Sequence, residues 1–162
     1  MVLRPSTLVC LICSLGEDCF EIRNPTLKKI FNLINKNPEI PITLICNAGD
    51  VFSYQDIKTK NAICLFERKK DLEILQRLDF PPGITITARI VINRILNRII
   101  SLKNICYLDD ASDKWQCPKA KKNYYQKARK MQISFIMQHC GEIKKSEKIN
   151  NALKKGIKVI IP

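Results

Sequence analysis

Short apolar runs and stretches with helical spacing alternate along the first third of the chain. Residues 8–13 form an apolar run bounded by Pro5 and Gly16, which predicts a buried strand. Residues 40–46 form a second run of the same kind. Because the chain between the two runs is long enough for a crossover connection, we expect these strands to pair in parallel.

A helix is predicted between these two runs. Asn24-Pro25 is a typical N-cap followed by proline in the first turn, and the residues Lys-Asn-Pro at 36–38 provide the end. The apolar stripe of this helix consists of Leu27, Ile30, Phe31 and Ile34. The first third of the chain is therefore predicted to be a strand–helix–strand unit.

Further helices are predicted downstream. Residues 70–78 form a short one, and Thr87 is a good N-cap for the clearest helix in the chain. The apolar stripe of that clearest helix consists of Val91, Ile92, Ile95, Leu96 and Ile99. Pro118 begins a basic helix that is expected to extend to about residue 138, whereas residues 47–68 lack periodicity and predict a long loop.

These elements predict an α/β protein, a single domain with a small, partly parallel sheet packed by helices. The chain has 162 residues and is 46% hydrophobic, which suffices for one sizeable core. We expect residues 1–140 to form this domain. Residues 141–162 read as a basic C-terminal tail that ends in an edge strand or a free end.

The formal net charge is +13, which favours polyanionic partners through electrostatic attraction. A bias of the whole sequence towards Lys, Ile and Asn, with a solvated lysine surface, explains the same charge without a partner. The N-terminal apolar run is a weak match to an export signal, and no stretch approaches the roughly 18 apolar residues of a membrane span. We therefore expect a cytoplasmic protein without a membrane span.

Eight cysteines are the main candidates for chemistry. In a reducing compartment they stay thiols, bind a soft metal or react, rather than form disulfides. The residues that we predict as metal ligands are Cys10, Cys13, Cys64, Cys106 and Cys117. On a strand, residues three apart point to opposite faces, so Cys13 is expected only in reserve for Cys10.

Thiolates suit an iron–sulfur cluster, or zinc as the alternative. The only histidine is His139, and few acidic residues have ligand spacing, so a hydrolytic zinc or di-iron carboxylate site is disfavoured. The sequence has no nucleophile elbow, phosphate-binding loop or dinucleotide fingerprint. We therefore expect an electron-transfer or structural role, the former with a redox partner protein, rather than an enzyme.

Two alternatives stay open. A nucleic acid would be bound by the basic helix, whose candidate residues are Lys119, Lys121, Lys122, Tyr124, Tyr125, Lys127, Arg129 and Lys130. There, lysines would contact phosphates and tyrosines would stack on bases. Alternatively, Cys10 or Cys13 would act as a nucleophile or a redox pair, although burial in a strand raises the pKa of a thiol.

Several motifs, taken in order, carry a resemblance to a known family. They are Leu3-Arg4-Pro5, Leu8-x-Cys10-x-x-Cys13, the segment from Lys36-Asn37-Pro38 to Leu44, Cys106, and Trp115-x-Cys117-Pro118. Over about residues 3–130 the chain resembles a group of uncharacterised cysteine-rich bacterial and archaeal proteins, a domain of unknown function labelled as iron–sulfur binding. The resemblance implies a cluster held by these cysteines.

Two departures distinguish the chain from that group. Thr7 stands where the group has a histidine, and residues 47–55 lack the dense Cys-x-x-Cys loop of the group. The remaining predicted ligands still suffice for four. A diverged relative that kept the fold and lost the cluster is the alternative that these departures raise.

Overall fold

The structure is a computed structural model that describes residues 1–18, 21–46, 62–108 and 117–131, with the backbone alone for residues 62–68. Its elements, in chain order, are β1 (Val2–Leu3), α1 (Pro5–Glu17), α2 (Pro25–Lys36), β2 (Pro41–Leu44), α3 (Ala62–Leu78), β3 (Thr85–Thr87), α4 (Ala88–Arg98), α5 (Pro118–Lys121) and α6 (Tyr124–Lys130).

The sheet is mixed and small, with strand order β1-β2-β3. β1 pairs in parallel with β2, with Val2 opposite Thr43, and β2 pairs antiparallel with β3, with Ile42 opposite Ile86. The predicted α/β class with a small, partly parallel sheet packed by helices is confirmed. None of the described helices combines the length and apolar character needed to cross a bilayer.

The predicted strand at residues 8–13 is wrong, because these residues lie within the helix α1. Pro5 occupies the first turn of this helix, where its missing N–H costs nothing. Most of α1 is buried, so its residues are apolar on nearly every side and show no helical period. Periodicity alone cannot separate such a helix from a buried strand. The strand that pairs in parallel with β2 is instead β1.

α1 is the central helix of the fold and packs against α2, α3, α5 and α6. Its approach to α6 is close enough to require a glycine. A Cβ atom at Gly16 would overlap the carbonyl oxygen of Tyr124. This contact fixes α6, and the α5 segment before it, against the C-terminal half of α1.

The predicted capping residues correctly mark where two helices begin. Asn24 accepts a 3.0 Å hydrogen bond from the backbone N–H of Leu27 at the start of α2. Thr87 is the N-cap of α4, as predicted, although its side chain makes no capping hydrogen bond. The strand β3, which ends at Thr87, was not predicted.

α3 begins at Ala62, so the part of the predicted loop after that residue is wrong, and residues 47–61 lie outside the described residues. The predicted continuous basic helix is also wrong. Asn123 adopts a left-handed conformation with φ 58° and separates α5 from α6. Residues 132–162, including the predicted tail, lie outside the described residues.

A buried carboxylate joins α3 to the start of α1. Asp71 accepts a 2.9 Å hydrogen bond from the backbone N–H of Ser6 and a 2.5 Å hydrogen bond from Nε of Arg4. Asp71 is only 2% exposed. Its charge is therefore compensated by a cation and by the first turn of α1, as a buried carboxylate requires.

Candidate metal centre

The helical conformation of residues 5–17 changes what the Cys-x-x-Cys spacing can do. In a helix, residues three apart lie on the same face, whereas in a strand they lie on opposite faces. Cys10 and Cys13 accordingly both line one cavity beside α1. The prediction that only one of them could serve a site is wrong for this reason.

Cys106 and Cys117 line the same cavity. The backbone N–H of Cys117 donates a 2.9 Å hydrogen bond to the carbonyl oxygen of Cys106, although ten residues separate them. Cys106 is held in a turn after α4 by a 2.8 Å hydrogen bond from its N–H to Leu102. The carbonyl of Cys117 accepts from Ala120 at 3.0 Å and so begins α5.

Four thiols from two distant segments therefore line one cavity of about 390 Å³. Cys13 and Cys106 are buried, and Cys10 and Cys117 are half-buried. None of the four forms a disulfide, nor does Cys46, which does not line the cavity. We call these four residues the thiol group.

The thiols are close enough to influence one another electrostatically. Burial raises the pKa of Cys13 well above its ordinary value, and Cys10, Cys106 and Cys117 raise it further. Lys119, which also lines the cavity, lowers the pKa of Cys13. Ionising all four sulfurs therefore requires a nearby positive charge to compensate for their mutual repulsion.

Residues that line one cavity do not necessarily hold their donor atoms close enough together to bind one metal ion. Among the side chains that the structure describes, no three from Cys, His, Asp and Glu form a group that could hold a metal ion. The thiol group thus has the sulfur donors that a thiophilic metal prefers, but its side chains are not arranged to hold a single metal ion.

The side chains of the remaining cysteines, apart from Cys46, lie outside the described residues. The backbone of Cys64 lies in α3, not in a loop, and its side chain lies outside the described residues. Cys19, His139 and Cys140 also lie outside them. Cys13, which the sequence placed in reserve, is a buried member of the thiol group, and its pKa is raised by burial and by the other three members.

Sequence reasoning missed two basic residues of the cavity, Arg4 and Lys70. Lys70 is only 6% exposed, although it lies in a helix with exposed neighbours such as Lys69. A signal was present in its position, because Lys70 lies one turn before the fully buried Ile74 on the apolar stripe of α3. A lysine on such a stripe indicates a buried charge.

The residues of the predicted nucleic-acid site divide into three sets. Lys121, Lys122, Lys127 and Lys130 are exposed. Tyr125 is 1% exposed and donates hydrogen bonds to the carbonyls of Ile95 at 3.1 Å and Ile99 at 2.8 Å. It belongs to the core and cannot stack on a base.

The remaining three residues of the predicted nucleic-acid site make contacts within the protein or are half-buried. Arg129 donates a 2.7 Å hydrogen bond from Nε to the carbonyl of Leu96. Lys119 forms an ion pair with Glu17 and lines the cavity. Tyr124 is half-buried. The structure therefore retains exposed lysines from the predicted site but not the pair of exposed tyrosines that stacking on bases would need.

Comparison with known proteins identifies no family model, no curated protein and no solved structure that matches this chain. The resemblance to the iron–sulfur-labelled group of cysteine-rich proteins consequently stays a prediction that rests on the order of the sequence motifs.

Proposed function

We propose that the thiol group binds one metal centre, an iron–sulfur cluster in preference to zinc. The observation that carries the proposal is the convergence of Cys10, Cys13, Cys106 and Cys117 on one cavity. Buried cysteines are common core residues, and Cys13 and Cys106 do belong to the hydrophobic core. What supports a metal centre is that all four thiols line one cavity.

A single zinc ion and a four-iron cluster make different demands on the spacing of the sulfurs. Two sulfurs bound to the same zinc lie about 3.8 Å apart, since each Zn–S bond is about 2.3 Å long. In a four-iron cluster each iron takes one thiolate, so the four sulfurs stand further apart around a larger body. The cavity of about 390 Å³ offers room for that body.

The charges around the thiol group support the same proposal. Lys119 lines the cavity and lowers the pKa of Cys13, and a cation near thiolates offsets the negative charge of a thiolate-ligated centre. A bound cluster would supply one-electron transfer or would join α1 to the segment that contains Cys106 and Cys117. Either role agrees with an expectation of no enzymatic activity from the sequence.

Anaerobic reconstitution with iron and sulfide tests the proposal when the wild type is compared with Cys13→Ser and Cys46→Ser. Cys13 is a member of the thiol group, whereas Cys46 is a described thiol outside the cavity. We expect Cys13→Ser to lose most of the iron and sulfide that the wild type and Cys46→Ser retain. Equal iron in all three proteins, or none in the wild type, would contradict it.

A further inference from the structure

The cavity extends beyond the thiol group. Its lining residues on α1 begin at Ser6 and end at Ser14, a length of about 12 Å at 1.5 Å per residue. Cys10 and Cys13 account for about 4.5 Å of this length. The part of the cavity beside Ser6 and Thr7 carries no thiol on α1 and is available to a different ligand.

This second part of the cavity is basic and polar. Arg4 and Lys70 both lie near the start of α1, because Arg4 donates to Asp71, the residue after Lys70, and Asp71 also accepts from the backbone N–H of Ser6. The polar side chains of Thr7, Asn24 and Thr26 line the same cavity. We call the two cations and these three polar residues the anion end. Of the lining residues that the structure describes, none is acidic.

The two cations of the anion end are held in place by the fold. Nε of Arg4 donates to Asp71, which does not line the cavity and lies behind Arg4. Lys70 precedes Asp71 in α3 and is only 6% exposed. An ammonium group buried to this degree gains more from a neighbouring anion than an exposed one does, because water screens it less.

We propose that the anion end binds a small organic oxyanion, a carboxylate or a phosphate ester, next to the thiol group. The whole cavity, including the space beside the thiol group, is about 390 Å³, near the lower end of the range of small-molecule sites. Guanidinium and ammonium groups would contact the oxyanion, and the hydroxyl and amide groups would complete its hydrogen bonds. The rest of the ligand would extend along α1 towards Cys10.

The test is isothermal titration calorimetry with citrate and with inorganic phosphate at constant ionic strength in chloride. The wild type is compared with Lys70→Met and with Lys69→Met. Both variants remove one positive charge from α3, but Lys69 is exposed and outside the cavity. We expect Lys70→Met to bind the preferred anion at least tenfold more weakly, and Lys69→Met to bind it like the wild type.

Three results would overturn the proposal: no binding of either anion, unchanged binding by Lys70→Met, or equal losses in both variants. Equal losses would show diffuse attraction to a protein of net charge +13. Circular dichroism checks the folding of each variant. If Lys70→Met does not fold, Thr26→Trp replaces it, because Thr26 is exposed at the cavity and an indole there would block the anion end without disturbing the core.

The same titrations on metal-free and reconstituted protein separate this proposal from the metal centre. The anion end contains no thiol, so anion binding is expected in both preparations. Anion binding without any iron uptake would contradict the proposed cluster and support the anion site. Iron uptake without anion binding would support the cluster and contradict the anion site.

Discussion

The backbone N–H of Cys117 donates a 2.9 Å hydrogen bond to the carbonyl oxygen of Cys106. This bond joins the turn after α4 to the first residue before α5 and brings two cysteines to the cavity. Cys10 and Cys13, on one face of α1, line the same cavity. The thiol group therefore depends on a tertiary contact between segments about a hundred residues apart in sequence.

Lys119→Met is expected to lower the reduction potential of the reconstituted cluster. Lys119 lies near enough to Cys13 to lower the pKa of its thiol, and its positive charge stabilises the reduced, more negative state of a cluster. A tenfold change in the redox equilibrium corresponds to about 59 mV for one electron. We expect a decrease of about that size in a spectroelectrochemical titration.

The matched control for this prediction is Lys121→Met. Lys121 lies in the same short helix, is exposed and does not line the cavity. Its potential is expected to equal that of the wild type. Identical potentials in all three proteins would show that Lys119 does not act on the centre.

Gly16→Ala is expected to destabilise the protein by about 1–3 kcal/mol, the usual cost of overpacking. The added methyl group would overlap the backbone carbonyl of Tyr124, which cannot rotate away as a side chain can. Urea denaturation measures the loss. Because α5 precedes α6, the displacement is also expected to reduce iron uptake.

Gly83→Ala serves as the comparison for Gly16→Ala. A Cβ atom at Gly83 meets no atom within 4 Å, but its φ of +83° costs an L-residue about 1 kcal/mol. We expect this variant to lose stability while its iron uptake is unchanged. Normal iron uptake by Gly16→Ala would argue against a role of the α1–α6 contact in shaping the cavity.

Asp71→Asn is expected to lower the free energy of unfolding by about 1–3 kcal/mol, because a buried charge-assisted hydrogen bond to Arg4 is lost. Glu39→Gln is the control. Glu39 pairs with Arg89 on the surface, where both side chains are more than half exposed, so no measurable change is expected. Equal effects in urea denaturation would show that Asp71 is not the anchor of α1.

The stability of the protein is expected to fall above pH 10 through Tyr125. Burial raises the pKa of this phenol above its ordinary value of 10.0, so the folded state retains a proton that the unfolded state releases. The resulting stabilisation is complete below pH 10 and is lost as pH rises from there, by up to about 1.4 kcal/mol per pH unit.

Urea denaturation of Tyr125→Phe between pH 8 and 11 checks this dependence. At pH 8 the variant is expected to be about 1 kcal/mol less stable, because the hydrogen bonds to Ile95 and Ile99 are absent. Above pH 10 it is expected to lose stability less steeply than the wild type. Parallel curves would contradict the raised pKa of Tyr125.

Elements with local signals were predictable from the sequence. Asn24-Pro25 defines the start of α2 because the capping hydrogen bond and the first-turn proline both act within a few residues. The break between α5 and α6 was not predictable in this way. It depends on the left-handed conformation of Asn123, which asparagine tolerates but does not require.

The thiol group shows why the candidate site was only partly predictable. Cys10, Cys106 and Cys117 were identified as candidates from their spacing and surroundings. The role of Cys13 depended on whether residues 8–13 form a helix or a strand, and their uniform apolar character does not decide this. The burial of Lys70 had a local signal in its position on the apolar stripe of α3, but its place in the cavity depended on the packing of α3 against α1, a tertiary contact.

The most direct test of the central claim is the iron and acid-labile sulfide content, with the visible absorption spectrum, of protein purified under anaerobic conditions. A cluster held by the thiol group predicts a brown protein with iron and sulfide in equal amounts, and loss of both in Cys13→Ser. A colourless wild-type protein that contains no metal and gains none on reconstitution would contradict the claim.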